Sequence, residues 1–416
     1  MRVRVVMAAA LAVAFAVVAT TAGASTGRAQ ANKLTVWLQV DAQSGWPDVV
    51  AAANQEFQQQ NPGWSVNVQY QSWGDHLQKF DATIAGNDTP DVIEMGNTEM
   101  TAYMSSGAFA DLTTSKSQFP NSGSWLAGLA KSGMYGGKLY GVPYYAGSRV
   151  VTYRSDLFKK AGVAKAPTSI TQFTADLLKV AKMEKGVKGF TPMYLAGTDW
   201  YSALDWVFDY GGSIATTHAH KWVGTLDSPA SVAGLTAYKD FFGKVALKSA
   251  ATLDEANPAP YTVYSQGLTA AILGPAWFSC CTGTKYKSVT AQFVMPSHAG
   301  GKPIPGFLGG SDLAVPAQSG QKSQAMQWIG DFTNTQNEQS LQAKGNIPNA
   351  TNLLGNTVNA RAAARSWFVP QAKHWVDVEN GNILRTMLAQ ILTGKLSVKQ
   401  AASTASANIA YTLNQS

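Results

Sequence analysis

Two apolar runs, Leu34-Thr35-Val36-Trp37-Leu38-Gln39-Val40 and Val92-Ile93-Glu94-Met95, frame the segment that decides the fold. The first reads as a buried strand. Pro47 then opens a helix whose apolar face is Val49, Val50, Ala53 and Phe57, and Asn61-Pro62-Gly63 stops it. Ser65 to Tyr70 alternates, with Val66, Val68 and Tyr70 on one side, as a strand does. Leu77, Phe80 and Ile84 recur at helical spacing before the turn Gly86-Asn87-Asp88-Thr89-Pro90-Asp91 delivers the chain to Val92. Strand, helix, strand, helix, strand implies right-handed crossovers and a mainly parallel sheet.

A second series starts near Tyr144, with a strand at 149–154 and a helix capped by Thr168 that turns Phe173, Leu177 and Ala181 inward. Helices are expected at 200–210 and 229–243, and strands at 268–273 and 292–295. Beyond Pro305 come a strand at 312–315 and a helix marked by Ala325, Met326, Ile329 and Phe332. The helix near 382–392 ends at Gly394, and Ser397 with Gln400 forms a capping box for the last helix.

Upstream, Met1-Arg2-Val3-Arg4 leads into an apolar run from Val5 to Val18, followed by Ala22-Gly23-Ala24 and Ala29-Gln30-Ala31. This is signal-peptide grammar, with cleavage after 24 or 31, and it places the folded protein outside the cytoplasm. The run is too short for a spanning helix, which needs about 20 apolar residues. Some 385 residues remain, about two domains' worth. The net charge of +7 falls to +5 or +4 without Arg2, Arg4 and Arg28, and no basic run interleaved with aromatics suggests nucleic-acid binding. Charged residues are only 14% of the chain and tryptophans number 12, which suits a neutral ligand. Cys280 and Cys281 read as small buried residues, far from any lipid-modification site near the leader.

The chain resembles the extracellular solute-binding proteins of ATP-binding-cassette sugar importers, the family that includes maltose-binding protein. The resemblance rests on Leu34-Thr35-Val36-Trp37 and on the turn at 86–91 with Gly96-Asn97-Thr98 after its strand. Gly137-Lys138-Leu139-Tyr140-Gly141-Val142-Pro143, Gly274-Pro275-Ala276-Trp277 and Gly309-Gly310-Ser311 add to it, as do Asn346-Ile347-Pro348-Asn349 and the tail from Trp375 to Ala401. It implies an α/β, two-lobed periplasmic-binding-protein fold of type II with the ligand cleft between the lobes. The N-terminal lobe would be 32–143 plus 306–352 and the C-terminal lobe 144–305 plus 353–416. It also implies a monomer that needs no cofactor, captures a small carbohydrate and docks on a membrane permease.

Ligands of open α/β sheets sit beyond the carboxyl ends of strands, so the loops there supply the candidates. Asp41 can accept from sugar hydroxyls or cap a turn; Trp73 can face a sugar or pack; Asn97 offers donors and an acceptor. Tyr145, Asp199, Trp200 and Trp277 are the candidates of the second lobe, and Asp199 can instead cap the helix it opens. Gly310 and Ser311 belong to a matching motif, and Trp375 resembles the aromatic of the family's C-terminal segment. Aromatic faces cover the C–H side of a pyranose while carboxylates and amides take its hydroxyls. The pattern departs at Gly147, where maltose-binding protein carries a carboxylate near the hinge strand, which argues against maltose.

The rival reading is a secreted carbohydrate-active enzyme, with Asp205 and Asp209 as paired acids on a helix face; the ordinary reading of that pair is a solvated face. His218-Ala219-His220 lacks zinc spacing, and no Gly-x-Ser-x-Gly elbow or phosphate loop occurs. A structural or adhesive surface protein would show repeats, and none is seen.

Overall fold

The computed structural model describes residues 32–415, so the signal-peptide expectation for residues 1–31 lies outside the described residues. The opening strand runs Asn32–Gln39 and pairs in parallel with Trp64–Gln71 over its full length, Leu34 opposite Val66 and Val36 opposite Val68. Leu34, Val36 and Leu38 are fully buried. Val40 leaves the strand, opens a short helix to Gly45 and is 41% exposed. Pro47 stands in the first turn of the helix Pro47–Gln60, where its missing N–H costs nothing, and Val49, Val50, Ala53 and Phe57 are buried as their spacing predicts.

The turn before Val92 has a direct physical anchor. Asn87 adopts a left-handed φ of 55° at the end of the helix His76–Gly86. Asp91 then accepts from Thr35 N–H at 2.9 Å through one carboxylate oxygen and from Ser319 Oγ at 2.7 Å through the other. The strand Val92–Gly96 therefore starts in register beside the opening strand.

The first sheet has six strands, in the order Ile347–Pro348, Gly141–Gly147, Gly309–Ala314, Val92–Gly96, Asn32–Gln39, Trp64–Gln71. It is mixed rather than mainly parallel, because Gly309–Ala314 runs antiparallel to both neighbours. The reason is topological. One strand of this pair carries the chain out toward the second lobe and the other brings it back, so they must run in opposite directions.

A separate core surrounds the antiparallel sheet Ala271–Pro275, Arg149–Arg154, Thr290–Phe293. Trp206, Tyr238 and Phe173 are fully buried there, and the C-terminal helices Ile383–Thr393 and Val398–Leu413 pack on it. Tyr144 and Tyr145 pack in the first core, since the outgoing strand holds its place in that sheet through Gly147. Phe307 packs in the second, and Gly306–Phe307 pairs with Ser366–Trp367. The chain thus changes cores at Gly147–Ser148 and again just after Phe307.

Local details differ in instructive ways. Ser169, not Thr168, caps the helix Ile170–Met183, accepting from Gln172 N–H; Thr168 instead donates to the Gln172 side chain. Val180, rather than Ala181, completes its buried face. The strand expected from 268 begins at Ala271. Gly394 (φ 74°) and the Ser397–Gln400 capping box are where the sequence places them. Cys281 is exposed and disulfide-bonded, not a buried thiol. His218 and His220 flank a tight hairpin turn with Ala219 and His220 at positive φ, and the described residues hold no group fit for a metal ion.

Candidate functional site

Loops beyond the first sheet assemble an aromatic–carboxylate rim. Asp41 lies in the first turn after the opening strand, and Trp73 follows Gln71, the end of its partner strand. The Trp73 indole N–H donates to Asp41 Oδ2 at 2.6 Å while its ring stays 39% exposed. His76 meets that ring edge-on with centroids 5.2 Å apart, and its Nε2 lies 2.9 Å from Glu99 Oε2. Burial works against a charged His76, but Glu99 outweighs it and the pKa rises. The same Glu99 oxygen accepts from Gly96 N–H at 2.9 Å, tying the rim to the end of a core strand.

Beneath this rim lies a buried polar layer. Glu94 takes the Gln39 N–H at 2.8 Å, and burial pushes its carboxyl up to about 7. Glu94 Oε1, Gln39 Oε1 and Ser311 Oγ are buried without a hydrogen-bond partner. Tyr145 is 7% exposed and packs edge-on against Trp46 at 5.1 Å. Gly310 accepts from Asn97 N–H at 2.9 Å, and the buried Asn97 amide donates to Leu308 carbonyl at 3.1 Å. Gly310 is required by close approach: a Cβ there would lie 2.0 Å from the Tyr145 carbonyl oxygen.

The second lobe contributes an aromatic cluster around one guanidinium. Arg149, two residues beyond Gly147, lies 3.2 Å from Glu255 and 3.8 Å from Asp199, and its guanidinium sits over the Tyr201 ring at 5.2 Å. Those carboxylates offset its desolvation and hold it charged. Asp199 caps the helix Trp200–Asp209 by accepting from Ser202 N–H, the alternative to ligand contact that the sequence offered, and it is also a charge partner of Arg149. Trp200 is buried, its ring tilted against Tyr201 with centroids 3.9 Å apart and with Trp375 at 6.0 Å. Trp375 is buried as well, and its indole donates to Glu379 one helical turn on.

Glu379 joins the two sides. Its other oxygen lies 3.5 Å from Thr98 Oγ1, in the loop after Val92–Gly96. Desolvation, with the nearby Glu99 charge, pushes its carboxyl up to about 8. Gln371 adds a second link, donating to the Lys131 carbonyl at 2.8 Å.

Asp41, Trp73, Asn97, Trp200 and Trp375 therefore fall on or under two facing surfaces joined by Thr98 and Glu379. Trp277 is half-buried, with ring contacts to Tyr261 and Phe278, and its backbone lies against Gly345, where a Cβ would come within 3.2 Å of Trp277 Cα. Sequence reasoning missed His76, Glu99, Arg149, Tyr201, Glu255 and Glu379. Only Glu379 had a local signal, its i+4 spacing from Trp375 on one helix face. The paired acids are not a solvated face: Asp205 accepts from Phe307 N–H and Trp367 Nε1, and Asp209 from Ser297, His298 and Arg365.

Residues 38–339 match the family of bacterial extracellular solute-binding proteins. The diacetylchitobiose-binding protein DasA of Streptomyces coelicolor is 30% identical over 374 residues, 87% of this chain and 85% of that protein. Among solved structures, the GacH receptor of Streptomyces glaucescens, known unliganded and with acarbose, superposes with a TM-score of 0.77 at 20% identity, covering 92% of this chain and 99% of that one. The sugar-binding protein MalE of Xanthomonas citri does so at 0.76 and 19%, covering 92% and 97%. With its two cores, its paired crossing strands and the facing loops between them, the chain belongs to the bacterial extracellular solute-binding proteins and has their two-lobed α/β fold.

Proposed function

We propose that this protein captures a carbohydrate between its lobes and delivers it to the membrane permease of an ATP-binding-cassette importer. The observation that carries this reading is the half-exposed Trp73 ring, its indole held by Asp41, in a rim facing the Arg149–Tyr201–Glu379 surface. A pyranose needs an aromatic face for its C–H side and fixed acceptors for its hydroxyls, and the two surfaces offer both. The likeness to DasA, a diacetylchitobiose-binding protein, favours a short oligosaccharide.

In this reading Asp41, Trp73, Glu99, Tyr201 and Glu379 touch the ligand, while Tyr145, Asn97, Asp199, Trp200, Gly310, Ser311 and Trp375 form the layer that positions them. Trp277 is the remaining aromatic candidate of the second lobe. The lobes divide at the core changes, 32–147 plus 308–352 against 148–307 plus 353–415, a few residues from the division the resemblance implies. The protein works outside the cytoplasm as a monomer after loss of its leader, and it performs no chemistry on the sugar. Asp205 and Asp209 support that last point, since both are buried and Asp205 Oδ1 and both oxygens of Asp209 are taken by backbone and side-chain donors in the second lobe.

A thermal-shift screen of the exported protein against mono- and oligosaccharides tests the proposal, because a ligand that binds only the native state raises its Tm. A rise with intact sugar recovered is the expected result. Cleaved sugar overturns the non-enzymatic reading, and no rise across the panel overturns carbohydrate as the ligand.

A further inference from the structure

The positive charge of this protein is concentrated in one segment. Residues 154–188 hold eight lysines and arginines against three carboxylates, a net of +5. Residues 32–416 together net +4, the +7 of the whole chain less Arg2, Arg4 and Arg28, so everything outside this segment nets −1.

The segment's densest part is also apolar where it should not be. The helix Ile170–Met183 buries Phe173, Leu177 and Val180 on one face. At 100° per residue its opposite face carries Leu178, Lys182 and Met183 within about 140° of arc, together with Lys179, whose ammonium pairs with Asp176 at 2.9 Å. Leu178 is 46% exposed, Met183 41%, and Val187 in the following turn 42%. Lys182, Lys185 and Lys188 are exposed beside them, and Glu184 is the only carboxylate between 178 and 188. The neighbouring helix Ser155–Lys160, which packs on this one, adds Lys159 and Lys160. Lysines spaced among exposed aliphatic side chains are what an anionic lipid surface selects: the aliphatic groups enter the headgroup boundary while the ammonium groups meet phosphates.

We infer that this face of the second lobe docks on an anionic phospholipid surface. Charge complementarity favours the bilayer over a soluble polyanion, because a polyanion leaves Leu178, Met183 and Val187 in water. The contact is weak and reversible. It raises the protein's concentration near a membrane-embedded partner without an anchor, and it leaves the ligand-binding surfaces free.

Co-sedimentation of the exported protein with vesicles of phosphatidylglycerol and phosphatidylcholine, against phosphatidylcholine alone, tests this. Wild type should sediment with the anionic vesicles only, and release as salt rises. Each lysine near such a surface is worth about fivefold in partitioning, so Lys182→Glu/Lys185→Glu/Lys188→Glu should weaken it by about 100-fold or more. Leu178→Ser/Met183→Ser/Val187→Ser should weaken it too, with both variants keeping the wild-type Tm. Equal sedimentation on neutral vesicles, none on anionic ones, or wild-type binding by the lysine variant overturns the inference. Full binding by the serine variant also overturns it, since it means a purely electrostatic site with no bilayer insertion.

Discussion

Trp73 and Asp41 are joined by an indole-to-carboxylate hydrogen bond of 2.6 Å although the Trp73 ring is 39% exposed. Beyond the ring's edge-on contact with His76, this bond selects one of the rotamers a half-exposed indole would otherwise sample. If the ring is the sugar platform, Asp41 preorganises it. Asp41→Ala should cost about five- to tenfold in ligand affinity, about 1 kcal/mol for one hydrogen bond, with Tm nearly unchanged. Trp73→Ala should cost more than Asp41→Ala. Isothermal titration with the sugar found by the screen measures both, and equal affinity of Trp73→Ala and wild type would falsify the platform role.

Gly310 is held against the outgoing strand so closely that a Cβ would meet the Tyr145 carbonyl at 2.0 Å. The atoms that this Cβ would meet first, Tyr145 O and C and Ala146 Cα, are all backbone, so no side chain can swing away. Gly310→Ala should destabilise the protein by about 3 kcal/mol, the upper range for overpacking. A urea midpoint that drops with an unchanged m-value is the expected signature; an unmoved midpoint means that the strands separate freely here.

Asp312 is buried, accepts from Ser132 Oγ at 2.8 Å, and is pushed up to about 7 by desolvation. The unfolded chain releases this proton near pH 4, whereas the folded protein keeps it until about 7. The native state therefore binds more protons across that window, and stability falls as pH rises through it. Glu94, up at about 7, acts in the same sense. From this pair Tm should decline as pH rises from about 4 to about 7 and level off above that, and Asp312→Asn should flatten the decline. A slope identical in the variant and wild type would remove Asp312 from the account.

Elements set by local pattern were legible in the sequence: the helix from Pro47, the alternation that puts Val66, Val68 and Tyr70 against the first core, and the capping box at Ser397. The mixed sheet was not, because the direction of Gly309–Ala314 depends on where the chain returns after more than 150 residues in the second lobe. For the site, Trp73 and Asp41 were visible as loop residues after strands. Arg149, Tyr201 and Glu255 were not, since an ion pair between residues 106 apart in sequence leaves no mark in local spacing. Asp205 and Asp209 misled for the opposite reason. Their i+4 spacing looks like a solvated face, yet this helix is buried on nearly every side, and each carboxylate ties it to a distant segment.

Glu379 holds the Trp375 indole with one oxygen and approaches Thr98 Oγ1 at 3.5 Å with the other, so it is the carboxyl that links the two facing surfaces. The groups around it are Glu99 across the gap and Arg385 on the adjoining helix, and desolvation dominates, placing it at about 8. If ligand capture closes the lobes, Thr98 and Glu99 come to this group, and the closed form holds a proton that an open form with a solvated Glu379 releases more readily. Ligand binding favours the closed form, so binding should take up protons near pH 7, and affinity should fall as pH rises from 7 to 9. Glu379→Gln keeps an acceptor for Trp375 and cannot titrate; its affinity should be flat over that range. Glu379→Ala leaves a buried indole N–H unpaired, at a cost of about 1–3 kcal/mol, and should lower Tm as well. Calorimetry in buffers of different ionisation enthalpy reads the proton uptake directly, and a wild-type uptake of zero with a pH-independent affinity would separate Glu379 from closure.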